Sequence, residues 1–198
     1  KNTWVIFTAD HGEMLGDHHM SQKNLFFEGS AHVPLLIMPP QGRSLPQNIS
    51  VEAPTDLVDI YPTILAMAGL SSPVSVSGKN LLEPVPMDRM FFGNSLNKNF
   101  CVMEEKVKLV YSAVGDHVLL FDLNTDPMEQ HNLAEDPAWQ ERKAKLWKLL
   151  LEHTAQYTPE ALDEKGQFLT YEAPHFPGDV PGRWFGFHYH DYSVDTFH

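Results

Sequence analysis

Thr3-Trp4-Val5-Ile6-Phe7-Thr8 is an apolar, β-branched run that leads directly into Ala9-Asp10-His11-Gly12-Glu13. It reads as a buried strand that delivers a carboxylate and an imidazole where the strand ends. In open α/β sheets, ligands and metals bind outside the carboxyl ends of the strands, so reactive chemistry is expected at Asp10 and His11. Further along, His32-Val33-Pro34-Leu35-Leu36-Ile37-Met38, closed by Pro39-Pro40, reads as a second buried strand of the parallel-sheet type. Pro34 makes its start irregular or places it at an edge. A polar loop over 16–22 and a short segment over 23–30 connect the two.

Beyond the strands, Leu57, Ile60, Tyr61, Ile64, Leu65 and Ala68 have helical spacing, with Thr55 or Asp56 as cap and Gly69 as stop. Pro62 implies a kink or a start near that residue. After a boundary near residue 88, four apolar runs at Met90, Phe100, Val107 and Val118 recur about every ten residues, which predicts a small antiparallel meander. Asp126-Pro127-Met128-Glu129 and Asn132-Leu133-Ala134 form a turn, and residues 137–153 predict an amphipathic helix. Leu146, Trp147, Leu149 and Leu150 are expected to pack that helix on the meander. Residues 157–198, rich in Pro, Gly, His and aromatics, show no helical or alternating period and read as an extended arm that must lie on something. The expected organisation is therefore an α/β part over 1–87, a small antiparallel β subdomain with a packed helix over 88–156, and the arm over 157–198.

With 198 residues, 42% hydrophobic and 20% charged, the chain has room for one medium domain or a domain plus an appendage. Acidic residues outnumber basic ones 26 to 14, and a net charge of −12 opposes a phosphate backbone, so nucleic acid is not an expected partner. Any anion site must work through local cations such as Lys23 or a bound metal. Cys101 is the only cysteine, which excludes an intrachain disulfide and any multi-cysteine zinc site. No apolar run approaches the roughly 18 residues of a membrane span. The opening Lys1-Asn2-Thr3 has neither a methionine nor a signal-peptide pattern, so we expect a fragment or processed chain.

Asp10, His11, Glu13, Asp17, His18, His19 and Lys23 crowd one short stretch. A carboxylate offers an oxygen ligand to a hard divalent cation, an imidazole ligates or moves protons, and a lysine holds an anionic oxygen. The combination suits hydrolysis of a charged ester, although an Asp-His pair taken alone also fits a simple turn cap.

The larger pattern decides. Phe7 to His18, then Lys23, then His32-Val33-Pro34-Leu35 closely resembles the sulfatase family of the alkaline phosphatase superfamily. Val58-Asp59-Ile60-Tyr61-Pro62-Thr63-Ile64-Leu65 with Ala68-Gly69 is similar to that family's helix. Leu120-Phe121-Asp122-Leu123, Asp126-Pro127, Glu129 and Asn132-Leu133-Ala134 are similar to its carboxy-terminal subdomain. The resemblance implies the carboxy-terminal part of an alkaline-phosphatase-like sandwich, followed by the small sheet and helix.

It also implies roles. Asp10 and His11 match metal-binding positions, the metal usually being calcium. Lys23 matches a lysine that contacts the sulfate and the ester oxygen, and offsetting charge there is worth a few kcal/mol. His18 is favoured over His19 to line the pocket, and His32 matches a position that binds substrate or supports its loop. Glu13 reads as structural. The family's nucleophile is a formylglycine made from Cys or Ser in a Cys/Ser-x-Pro/Ala-x-Arg signature. Cys101 precedes Val102-Met103-Glu104-Glu105 and lacks that signature, so it is assigned to the core. The nucleophile and the other metal ligands are expected in an amino-terminal part of the same protein. The implied partner is a sulfated carbohydrate or other sulfate ester, and the implied location periplasmic, secreted or lysosomal. Two rivals stand beside this reading: a phosphonate or phosphate ester hydrolase of the same superfamily, and a non-catalytic light chain completing a site in trans.

Overall fold

Alternation along the opening run governs how the chain uses it. In a computed structural model, which describes residues 2–20, 23, 26–43 and 50–172, the elements in chain order are β1 (Val5–Thr8), α1 (Glu28–Ala31), β2 (Leu35–Met38), α2 (Ile60–Met67), β3 (Phe91–Ser95), β4 (Asn99–Glu104), β5 (Val107–Ser112), β6 (His117–Asp122) and α3 (Gln140–Tyr157). They fall into two compact units, Lys1–Asp10 with Val33–Phe91, and His11–His32 with Phe92–His198.

In the first unit β1 and β2 pair antiparallel, with Val5 opposite Met38 and Phe7 opposite Leu36. This corrects the expectation of buried, parallel-type strands. The apolar runs mark the two strands but carry no information about direction. Their pleat leaves one face open: Phe7 is 61% exposed and Leu36 58%. β2 begins immediately after Pro34, as the missing donor of proline requires.

The predicted helix divides into a 3-10 turn over Leu57–Asp59 and then α2. Pro62 lies in the first turn of α2, where its absent N–H leaves no hydrogen bond unmade, so no kink is needed. Asp56 and Asp59 form a reciprocal capping box. Asp59 is fully buried, and Arg89 grips it bidentately, Nη1 to Oδ2 at 2.6 Å and Nη2 to Oδ1 at 2.9 Å. The Lys79 and Asp56 amides donate to the same carboxylate at 2.7 and 2.8 Å. Thr63 Oγ1 donates to the Asp59 carbonyl and accepts from the Leu81 amide, tying the helix to the following loop.

In the second unit β3, β4, β5 and β6 lie side by side in that order, and β4 with β5 and β5 with β6 are antiparallel, as the spacing of the apolar runs predicts. Period two gives β5 two apolar faces. Val107, Leu109 and Tyr111 join Phe100, Val102, Leu120 and the buried Leu146 and Leu150 of α3 in one core. Trp147 meets Tyr111 edge-on at 4.9 Å. The helix predicted over 137–153 begins as a 3-10 turn, Pro137–Trp139, and extends to Tyr157. Phe168 reaches the same core, so this part of the predicted arm is packed rather than extended on its own. Residues 173–198, which carry the rest of that arm, lie outside the described residues.

The second face of the sheet carries Cys101, Lys108, Val110, Leu119 and Phe121, all buried. Phe26, Phe27 and Glu28 lie against it. Phe27 packs on Phe121 at 5.8 Å, and Lys108 Nζ donates to the Phe26 carbonyl at 2.8 Å. The segment His11–His32 is also closed on itself: Gly12 N donates to Ser30 O at 2.7 Å and Glu13 N to Gly29 O at 3.0 Å. A Cβ on Gly12 would stand 2.1 Å from the Gly29 carbonyl oxygen, so only glycine permits this approach.

Two outcomes follow. Gly12→Ala is expected to lower stability by about 1–3 kcal/mol, because backbone must move apart. Gly29→Ala, whose Cβ would make ordinary contacts with Met14 Sδ at 3.4 Å and the Glu13 carbonyl oxygen at 3.7 Å, should be neutral or stabilise by up to about 1 kcal/mol. Thermal melts of the two variants check the asymmetry.

Burial pushes the Asp59 carboxyl up, but hydrogen bonds from Arg89 and two amides outweigh it and hold it below the ordinary value. Its contribution is therefore complete above the unfolded aspartate range, about 3.9, and is lost as pH falls through the lower folded value. Urea unfolding between neutral and acid pH should show this limb in the wild type and a flatter one in Asp59→Asn. Arg89→Ala should cost about 3–5 kcal/mol at neutral pH, since it strands a buried carboxylate.

Candidate active site segment

Asp10 follows β1 by two residues and is exposed, at the end of the first unit's opening stretch. The next residue, His11, opens the second unit's segment. The His11 Nδ1 lies 2.7 Å from the Gly12 carbonyl oxygen. A carbonyl only accepts, so Nδ1 carries the hydrogen, and in the neutral ring the lone pair lies on Nε2. That is the tautomer a metal-ligating or proton-accepting histidine needs.

His18 has a left-handed backbone, φ 52°, inside the 3-10 turn Asp17–His19. Its ring stacks on Phe27 at 4.2 Å, and Phe27 is itself buried on Phe121. The imidazole is thereby held to a fixed plane. Lys23 is exposed, and its carbonyl accepts from Ser30 Oγ at 2.5 Å, which pins the backbone that carries the ammonium. His32 ends α1, and its Nδ1 donates to Glu28 Oε2 at 2.7 Å. His11, His18, Lys23 and His32 thus share one stretch of chain, in which Phe26, Phe27 and Glu28 are tied to the sheet through Lys108 and Phe121. Asp10 adjoins them along the chain.

The anchor that sequence reasoning missed is Lys108. Nearly fully buried, it donates to the Phe26 carbonyl, to Glu28 Oε1 and to Glu129 Oε1, the last at 2.9 Å. Those three acceptors use all three ammonium hydrogens. Glu129 Oε2 in turn accepts from the Glu28 amide at 2.7 Å, satisfying a free N–H at the start of α1. Burial alone would lower the Lys108 ammonium, but the two carboxylates outweigh it and hold it above its ordinary value. Burial pushes Glu28 up, yet Lys108 and His32 hold it below the usual carboxylate range. The signal available in the sequence was a single lysine inside the central apolar run Val107-Lys108-Leu109-Val110-Tyr111, since a buried lysine demands acidic partners.

Cys101 is fully buried in β4 and its thiol is pushed up to about 12 by burial, so it sits in the core as expected and is no nucleophile. Among the described residues, no group of three or more His, Cys, Asp and Glu side chains is placed to hold a metal ion. Calcium takes about six to eight oxygens; Asp10 offers carboxylate oxygens of that kind, whereas His11 offers a nitrogen, and the two together fall short of a full shell. No helix among the described residues is long and apolar enough to cross a membrane.

Residues 16–156 match the family model described as N-sulphoglucosamine sulphohydrolase, C-terminal. Among curated proteins, the chain is 32% identical over 165 residues to the uncharacterized sulfatase YidJ of Escherichia coli (strain K12), covering 77% of this chain and 32% of that protein. It is 34% identical over 190 residues to the choline-sulfatase of Rhizobium meliloti (strain 1021), covering 87% of this chain and 36% of that protein. Among solved structures, the phosphonate monoester hydrolase of Agrobacterium radiobacter is similar with a TM-score of 0.60 and 33% identity, over 83% of this chain and 38% of that one. The chain spans about a third of the length of the curated relatives it matches. The mixed α/β architecture with its small antiparallel sheet and packed helix agrees with the fold the sequence resemblance implies. Since the family model matches well over half of its residues, the chain belongs to the sulfatase family and matches that family's carboxy-terminal portion.

Proposed function

We propose that the protein carrying this chain hydrolyses a sulfate ester of a carbohydrate, and that residues 10–32 supply part of the metal shell and the cation that receives the sulfate. The observation that carries this reading is the pinned segment bearing His11, His18, Lys23 and His32, in a chain whose family model bears the name of a sulphoglucosamine sulphohydrolase.

Asp10 and His11 are the residues of this chain that would hold a divalent metal, Asp10 through its carboxylate and His11 through its imidazole. Calcium and a formylglycine from outside this chain would supply charge at the sulfuryl oxygens and the attacking oxygen. Lys23 places an ammonium against the sulfuryl and ester oxygens, where negative charge grows as the sulfur to ester-oxygen bond breaks. The departing alcohol oxygen takes up a proton, and Lys23 or a protonated His18 is its source. His32 binds the remainder of the substrate.

A second reading, a phosphonate monoester hydrolase, is favoured by the 33% identity to the Agrobacterium radiobacter enzyme. The two part on the oxyanion they accept, which a local cation alone does not decide.

In the full-length protein, nitrophenyl sulfate and a nitrophenyl phosphonate ester should be compared side by side, with the first turned over faster. Lys23→Ala should lower kcat/KM by about 10²- to 10³-fold, and chelation followed by calcium should abolish and restore turnover. A faster phosphonate reaction supports the second reading. Wild-type rates in Lys23→Ala overturn the assignment of that residue. The 198-residue polypeptide by itself should show no turnover of either ester.

A further inference from the structure

The three hydrogen bonds of the buried Lys108 lead outward to a histidine at the surface. Lys108 Nζ holds Glu28 Oε1 on one side, while Glu28 Oε2 accepts from His32 Nδ1 at 2.7 Å on the other. Glu129 braces the arrangement twice, through Oε1 to Lys108 Nζ at 2.9 Å and through Oε2 to the Glu28 amide at 2.7 Å.

An exposed histidine and glutamate four residues apart on a helix normally contribute little, because both side chains must be ordered to meet. Here the acceptor is already fixed. Glu28 is held by the ammonium, its own amide is held by Glu129, and Lys108 also holds the Phe26 carbonyl just before α1. The entropy of ordering the carboxylate is thus spent inside the buried cluster, and His32 meets a preorganised oxygen. A carboxylate cannot donate, so Nδ1 of His32 bears the hydrogen and the neutral ring directs its lone pair from Nε2.

We infer that Lys108, acting through Glu28, is a positioning residue that fixes the tautomer and orientation of His32 for substrate binding. The last step rests on the function proposed above; the geometric step does not. The sheet of the second unit is then more than a support for the segment, since one of its own side chains decides which nitrogen of a surface imidazole meets the ligand.

Two measurements on the full-length protein separate the claims. With ¹⁵N-labelled histidine, and the His32 signals assigned by their loss in His32→Gln, the neutral ring should show a protonated Nδ1 and an unprotonated Nε2. Glu28→Gln and Lys108→Met should turn this into a mixture of tautomers, while Lys108→Arg, which keeps a buried cation between the two carboxylates, should retain it. Circular dichroism identifies any variant that fails to fold. Should Lys108→Met do so, Glu28→Gln carries the comparison, because its amide is close in shape to the carboxylate. On a sulfate ester, Glu28→Gln should raise KM about tenfold with kcat nearly unchanged, as expected when the partner that orients a binding histidine is removed. An identical tautomer in wild type and Glu28→Gln overturns the positioning role whatever the substrate. A shifted tautomer with an unchanged KM overturns the step to substrate binding. If the wild type acts only on phosphonates, the tautomer result still decides the positioning role.

Discussion

A single ammonium buried between two carboxylates organises the second unit. Lys108 projects from β5 toward Phe26, Glu28 and Glu129, where an unpaired charge would be strongly destabilising. It is tolerable because each of its three hydrogens has an acceptor and because Glu129 is bonded in turn to the Glu28 amide. Three apolar side chains at these positions would bury just as well. They would not hold the start of α1 in one register, nor present a fixed oxygen to His32. The cluster therefore converts burial into position.

The rest of the segment His11–His32 is consistent with that role. Phe27 lies between Phe121 of the sheet and the His18 ring, so the packing of one phenyl group on the sheet also fixes the plane of that imidazole. The missing Cβ of Gly12 lets its backbone approach the Gly29 carbonyl, so that Gly12 and Glu13 bond to Ser30 and Gly29. An irregular stretch tied to a sheet at a few residues keeps exposed side chains accessible without leaving their backbone loose.

The first unit solves a different problem by similar means. Asp59 is the buried charge there, and Arg89 with two backbone amides surrounds it, so that the turn before α2 and the loop after it share one anchor. In both units an ion pair that contributes modestly to net stability contributes specificity of conformation. The sequence resemblance marked both sites, Asp59 within the helix motif and Glu129 within the turn motif, without indicating what either carboxylate holds.

Local signals in the sequence were enough to locate the elements: the meander from apolar runs of even spacing, α2 from helical spacing between a Thr55 or Asp56 cap and the Gly69 stop, α3 from its leucine stripe, and Cys101 as core from the residues that follow it. Crowding of ionisable residues drew attention to the stretch from Asp10 to Lys23, while the preference for His18 and the inclusion of His32 came from the family resemblance. Period and composition describe one segment at a time, however, and pairing between distant segments leaves no mark in either. The direction of β2 against β1, the packing of Phe168 beneath α3, and the meeting of Lys108 with Glu28 and Glu129, across 80 and 21 residues of chain, depend on which surfaces the folded backbone brings together. Only tertiary structure decides such contacts, since their energy arises from desolvation and geometry that no isolated segment possesses.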